Sequence, residues 1–182
     1  MIRRLLIAPL LKRFAANRPA RAIDSGGREY MYRIFLAEHR GTRYYLHWFV
    51  GVDGERHTHN HPFPGYSIIL SGGYREEVLD VYKHELLRAI GQDAQLAYSM
   101  HTHRLFNRVP TTKYHRVADA LAGTWTLFIA GPDVHTREAD RGFSFARVSS
   151  ETDRLQITWA KSSSARWWES APTLRELLES RS

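Results

Sequence analysis

Between residues 30 and 148 the chain breaks into short runs rich in aromatic and β-branched residues, separated by turns marked with glycine or proline. Runs of this length and composition suit strands, and the frequent turn residues leave little room for long helices. The runs expected as strands are 30–36, 44–50, 66–70, 74–82, 96–100, 105–109, 124–130 and 143–148, while 86–90 reads either way. Gly41, Gly72-Gly73, Gly123, Gly131-Pro132 and Gly142 punctuate them. Many short strands with few helical stretches predict an all-β sandwich or barrel. At 182 residues the chain suits one domain with short terminal extensions, and its 43% hydrophobic content provides a substantial core.

The two ends read differently. Ile2, Leu5, Leu6, Leu10, Leu11 and Phe14 recur at helical spacing among Arg3, Arg4, Lys12 and Arg13. This predicts an amphipathic helix whose apolar stripe packs on the domain or on another subunit, in preference to lying on an anionic membrane surface. Pro9 inside the pattern would kink the helix or delay its start. The apolar run from Leu5 to Leu11 is too short to span a membrane, and no small-x-small cleavage site follows it. A cytoplasmic location is the expectation. At the other end, Thr173-Leu-Arg-Glu176 fits a capping box, so 172–180 reads as a short helix. Trp167-Trp168 needs cover from the barrel or a partner. The chain thus divides into a basic N-terminal extension (1–28), a barrel (29–150) and a C-terminal extension (151–182).

Charge and cysteine content exclude several chemistries. The formal charge is +7, from 26 Lys/Arg against 19 Asp/Glu, but residues 1–43 hold ten of those bases and three of those acids. The remainder is neutral. A duplex-binding surface rests on clustered cations, so nucleic-acid binding by the barrel is not expected. The chain has no cysteine, which rules out disulfides, iron–sulfur clusters, thiolate zinc sites and cysteine nucleophiles. Any metal must be held by histidine, alone or with a carboxylate.

Three of the ten histidines, His57, His59 and His61, stand at alternate positions just ahead of an apolar run. An extended backbone sends such residues to one face. Neutral imidazole is a common ligand for Zn, Fe, Ni and Cu, and a His-x-His pair offers two nitrogens to one ion. A histidine-rich polar turn would have the same sequence. Some fifty residues on, Pro110-Thr-Thr-Lys-Tyr-His115-Arg-Val leads another histidine into a strand. His101-Thr-His103 is a competing same-face pair, and His47 and His135 read as structural.

Together these segments resemble the cupin superfamily, whose motifs are G-x5-H-x-H-x3-4-E-x6-G and G-x5-P-x-G-x2-H-x3-N. Gly51 with His57 and His59 satisfies the left half of the first motif. His59, His61, Tyr66 and Gly73 satisfy its right half, with Tyr66 where the glutamate ligand should stand. In the second motif Pro110 and His115 align, Thr112 replaces glycine, Asp119 replaces asparagine, and Arg104 stands in place of the leading glycine. The second register is preferred. His59-Asn-His61-Pro62-Phe63, Gly72-Gly73, His115, residues 124–132 and Gly142-Phe143 then look like a group of single-domain bacterial and phage cupins.

The resemblance implies a cupin double-stranded β-helix, a jelly-roll barrel with short N- and C-terminal helices. It also implies a facial metal site made by His59, His61 and His115. A divalent ion there, Fe(II) foremost and Zn, Ni or Mn as alternatives, would keep open positions, as in the three-histidine thiol dioxygenase branch of cupins. Glu76 or Glu77 could instead supply a carboxylate, giving a two-His-one-carboxylate site. Tyr66 and His57 are the candidate catalytic residues. Tyr66 could point its hydroxyl at the metal pocket or pack as a core aromatic; His57 could replace a ligand or act as acid, base or supporting donor. Arg116 should point away from the metal, and Trp125 and Phe128 should pack the barrel. The expected function is Fe(II)-dependent oxygenation of a small-molecule substrate by a homodimer. The alternative is a non-catalytic ligand-binding or interaction module with a structural metal or none.

Overall fold

The structure, a computed structural model, describes residues 2–25, 27–51, 57–133, 143–148, 154–160 and 166–181. The strands are β1 (Ala20–Ser25), β2 (Arg28–His39), β3 (Thr42–Phe49), β4 (Thr58–His59), β5 (Gly65–Ser71), β6 (Tyr74–Leu79), β7 (Tyr98–His103), β8 (Phe106–Val109), β9 (Tyr114–Ala120), β10 (Thr124–Ala130), β11 (Phe143–Val148) and β12 (Leu155–Ala160). Among the described residues the α-helices are α1 (Ile2–Ala15), α2 (Val81–Ala89) and α3 (Leu174–Glu179).

One sheet runs β1-β2-β3-β10-β5-β8 and the other β12-β11-β4-β9-β6-β7. Strands β3 to β10 are dealt between the two sheets so that β3-β10-β5-β8 stands opposite β4-β9-β6-β7. That order is the jelly roll, the double-stranded β-helix that the sequence resemblance implied. Burial alternates along β5, with Gly65, Ser67, Ile69 and Ser71 inward and Tyr66 and Ile68 outward. The Gly72-Gly73 turn between β5 and β6 has a physical cause. Gly72 has φ +84°, and a Cβ on it would collide with Thr124.

Several expectations are corrected. The run 74–82 ends as a strand at Leu79, because the Asp80 side chain accepts a hydrogen bond from Lys83 N at 2.9 Å and starts α2, which takes in most of the ambiguous 86–90. The run 96–100 begins as a 3-10 turn at Ala94–Ala97 before β7. Helix α1 continues through Pro9. The boundary at 28 cuts off β1, which is hydrogen-bonded to β2. The boundary at 150 likewise cuts off β12, which pairs with β11. Without these strands the edges of β2 and β11 would present open backbone groups.

The first sheet buries its outer face under both chain ends. Ala15, Ala20, Tyr32, Ile34, Leu46, Trp125 and Leu174 form one core cluster, with Ala8 and Leu11 of α1 packed against it. Leu10 and Phe14 of α1 are exposed. Among the described residues no helix is long and apolar enough to cross a membrane. The capping box is present, with Thr173 and Glu176 bonded reciprocally. Backbone bonds from Ala20 N to Pro172 O (2.8 Å) and from Leu174 N to Arg18 O (3.0 Å) lock the termini together. Leu174→Ala is therefore expected to destabilise the chain by about 3 kcal/mol, measured by urea unfolding. Trp168 stacks on Phe35 at 4.2 Å, and Trp167 lies against Tyr45 at 6.3 Å. The tryptophan pair thus finds its cover within its own chain, which removes it as an argument for a dimer.

Candidate metal centre

Strand β4 is only two residues long, yet it sits centrally in its sheet. His59 is in register with His115 on β9 and with Phe145 on β11. Directly opposed residues on neighbouring strands share a face, so both imidazoles enter the barrel. His61 follows after Asn60, which is clamped to β11. Its side-chain oxygen accepts from Ser144 N (3.1 Å) and Ser144 Oγ (2.7 Å), and its backbone N–H donates to Ser144 O (3.0 Å). Tyr114 Oη lies 2.8 Å from the same serine hydroxyl. This clamp fixes the backbone on which the His-x-His pair stands.

His59, His61 and His115 are all buried, and their ligand atoms lie within 4.8 Å of one another. His61 Nε2 and His115 Nε2 are 3.0 Å apart. Two nitrogens about 2.1 Å from one ion stand about 3.0 Å apart at right angles and about 3.4 Å apart at the tetrahedral angle. The spacing of this pair therefore suits two neighbouring ligands of one ion. Without an ion, the same spacing makes a hydrogen bond between the rings. His59 Nδ1 lies 3.4 Å from the His57 carbonyl oxygen. Burial holds the His61 pKa well below its ordinary value, helped by neighbouring His59, His115 and Arg33. A neutral ring is the form a metal needs.

Glu76 orients the third histidine. It lies on β6, opposite Val117 and diagonal to His115, fully buried, with Oε1 2.6 Å from His115 Nδ1. A carboxylate on Nδ1 directs the Nε2 lone pair into the site and raises its basicity. The same carboxylate takes Lys113 Nζ at 2.6 Å, Asn107 Nδ2 at 2.9 Å and His103 Nε2 at 3.0 Å. Burial alone would raise its pKa, but His115, Lys113 and Asn107 together hold it well below the carboxylate range.

The remaining candidates fall elsewhere. Tyr66 faces outward on β5, 39% exposed and stacked on Phe106, so the expectation that it faces the metal pocket is corrected. Strand alternation at the neighbouring Ser67 settles this. His57 is exposed ahead of β4, with its carbonyl oxygen beside His59 Nδ1. The register using His57 and His59 as the pair is thereby set aside. Glu76 supports His115 and does not join the ligand group, and Glu77 pairs with Arg116 on the outer face (2.9 and 3.0 Å). His103 is drawn to Glu76, while His101 is exposed beside Ser99. His135 lies outside the described residues. Tyr66→Phe and His57→Ala should each leave metal affinity within about twofold, measured by chelator competition, as for surface changes of ~0.5 kcal/mol.

The sequence reading missed Lys113 and Asn60. Lys113 lies two residues before His115, a same-face spacing that offered a signal; the role of Asn60 depends on contact with distant Ser144. The three histidines line a cavity with about 60 Å³ of water-accessible space, walled also by Tyr74, Phe128, His47 and Arg33. A water needs some 10–15 Å³ of such space, so a small molecule of a few heavy atoms fits.

No protein-family model matches the chain, and no curated protein sequence does. Among solved structures it is similar to a single-site variant of oxalate decarboxylase from Bacillus subtilis (11% identity, TM-score 0.46), covering 68% of this chain and 30% of that one. It is similar to Fe(II) HppE (8%, TM-score 0.44), covering 62% and 56% of the respective chains. A third is Streptomyces albus HEPD with 2-hydroxyethylphosphonate and Fe(II) bound (9%, TM-score 0.48), covering 66% and 25%. The chain thus spans about 30% of the length of the oxalate decarboxylase it matches. Likeness at this level carries no chemistry from those proteins to this one.

Proposed function

We propose that this chain is a mononuclear metal enzyme, with His59, His61 and His115 holding Fe(II) for oxygen-dependent chemistry on a small molecule. The observation that supports this most is the buried convergence of three imidazoles on a cavity, with a carboxylate fixing one of them. Three neutral ligands on one face would leave the ion its full charge and open positions toward that cavity. When bound, such an ion supplies Lewis acidity and a place for O2 and substrate to meet. Glu76 holds the proton on His115 Nδ1. Phe128, Val109 and Val117 give the cavity dry walls, and Tyr74 keeps its phenol protonated, its pKa pushed up to about 12 by burial.

The test uses untagged protein loaded anaerobically with Fe(II). One iron per chain, together with the EPR signal of a high-spin iron nitrosyl on adding nitric oxide, would support an open site. Tight zinc at full occupancy with no nitrosyl formed after iron loading would overturn the enzyme reading in favour of a structural ion.

A further inference from the structure

The cavity has a second chemical feature besides its three converging histidines. Arg21 on β1, Arg33 on β2 and His47 on β3 are consecutive cross-strand partners, a row made by sheet register. Arg33 and His47 both border the cavity. Arg33 Nε donates to His47 Nε2 at 3.1 Å. A guanidinium can only donate, so Nε2 is the bare nitrogen of the ring. Burial, then Arg33 and Arg21, hold the His47 pKa well below its ordinary value, which keeps the ring neutral. Its one proton is therefore on Nδ1. Among the described residues Nδ1 finds no acceptor, yet it is not sealed in by its neighbours. The open space that His47 meets is the cavity. The plane of the ring is held by Phe128, stacked on it at 5.0 Å, and by Phe49, edge-on at 6.3 Å. The hydroxyls on the same wall are already engaged, since Tyr74 Oη accepts from Asn107 Nδ2 at 3.0 Å and is hydrogen-bonded to Ser67.

We infer that His47 is a substrate-binding residue that donates from Nδ1 to a carbonyl or carboxylate oxygen of the small molecule in this cavity. The inference deepens the reading above and rests on it for the small molecule, though not for the metal. A buried donor left unpaired is costly, so an occupant that displaces water from the cavity must bring an acceptor to Nδ1. Phe49, Phe128, Met31 and Val109 make much of the remaining wall apolar, which makes one aimed donor decisive for orientation. Its aim is set before anything binds, by the bond from Arg33 and the stacked Phe128, so little ordering is needed on binding. The cavity volume limits the occupant to a few heavy atoms around that oxygen.

The test is an NMR titration of acetone, acetate and isobutene into nitrogen-labelled wild type, His47→Asn and His47→Gln, each metal-free and loaded with Zn(II). Acetone and isobutene have the same shape, but only acetone and acetate carry an acceptor oxygen. Asparagine keeps an N–H near the place of Nδ1 and falls short of Arg33. Glutamine keeps an acceptor for Arg33 and offers no donor near Nδ1. In wild type the His47 proton should be found on Nδ1 and should move downfield with acetone or acetate, but not with isobutene. The preference for the oxygen probe over isobutene should fall roughly 2- to 12-fold in His47→Gln and be largely kept in His47→Asn, as for one neutral hydrogen bond. The preferred probe shows which kind of oxygen the site takes. A ring protonated on Nε2, or a preference that His47→Gln retains, would overturn the inference. If a variant does not fold, the wild-type spectra decide, and no downfield shift with either oxygen probe overturns it. Oxygen binding seen only with Zn(II) and kept in His47→Gln would overturn this inference and leave the metal reading standing. Binding that depends on His47 in a chain that takes up no metal would do the reverse.

Discussion

Replacing His115 with alanine should strip the chain of its metal while leaving it folded. His115 is the ligand whose orientation is held from behind, so its loss removes a donor and idles Glu76. Removing an outer partner typically costs metal sites about 10- to 100-fold in affinity. Loss of a ligand should exceed that range, measured by chelator competition with Zn(II) or Co(II). The cost to the fold should be smaller, about 1–3 kcal/mol for a buried acceptor left one partner short. Lys113 and Asn107 still satisfy the carboxylate at 2.6 and 2.9 Å. If urea unfolding shows an intact variant that binds metal as tightly as wild type, the three-histidine centre is wrong.

Glu76→Gln should invert that balance. The amide can still approach His115 Nδ1, so metal affinity should fall only by the 10- to 100-fold of an outer partner. Stability should fall further, by about 3 kcal/mol, because Lys113 loses the carboxylate it is bonded to in a buried setting. The pH dependence has a definite sign. Burial alone would raise the pKa of Glu76, but His115, Lys113 and Asn107 hold the folded-state value well below the usual range. Unfolded, the group titrates near ~4.3. Its contribution is therefore complete above that pH and is lost as pH falls toward the folded value, at up to ~1.4 kcal/mol per pH unit. The stability gap between wild type and Glu76→Gln should be constant from pH 6 to 8 and narrow below about pH 4.3. A gap that widens on acidification would remove Glu76 from this role.

These two variants separate functions that look alike in a contact diagram. His115 contributes a lone pair, and its loss is read in metal affinity. Glu76 contributes a buried charge, and its loss is read mainly in the fold. A site assembled only for packing would not show the metal effect of the first variant.

Local chemistry determined much of this molecule. Aromatic and β-branched runs bounded by glycine made strands of 44–50, 66–70 and 124–130 to within two residues at each end, because side-chain alternation and turn residues act over a few positions. The capping box at Thr173 is likewise a four-residue affair. The alternating histidines mark a site for the same reason. Tertiary structure decided which of them enter the barrel. His59 faces inward because β4 is seated between β9 and β11, and His57 stays in solvent because it precedes that seat. Tyr66 stood at the motif's ligand position, yet the pleat of β5 turned it outward. Glu76 was visible as a carboxylate near the site, but its work on His115 depends on β6 lying beside β9, a pairing across some forty residues. The row Arg21, Arg33 and His47 is scattered in the chain and exists only through sheet register. Periodicity fixes which side of a strand a residue takes; only the packing of strands fixes what lies on that side.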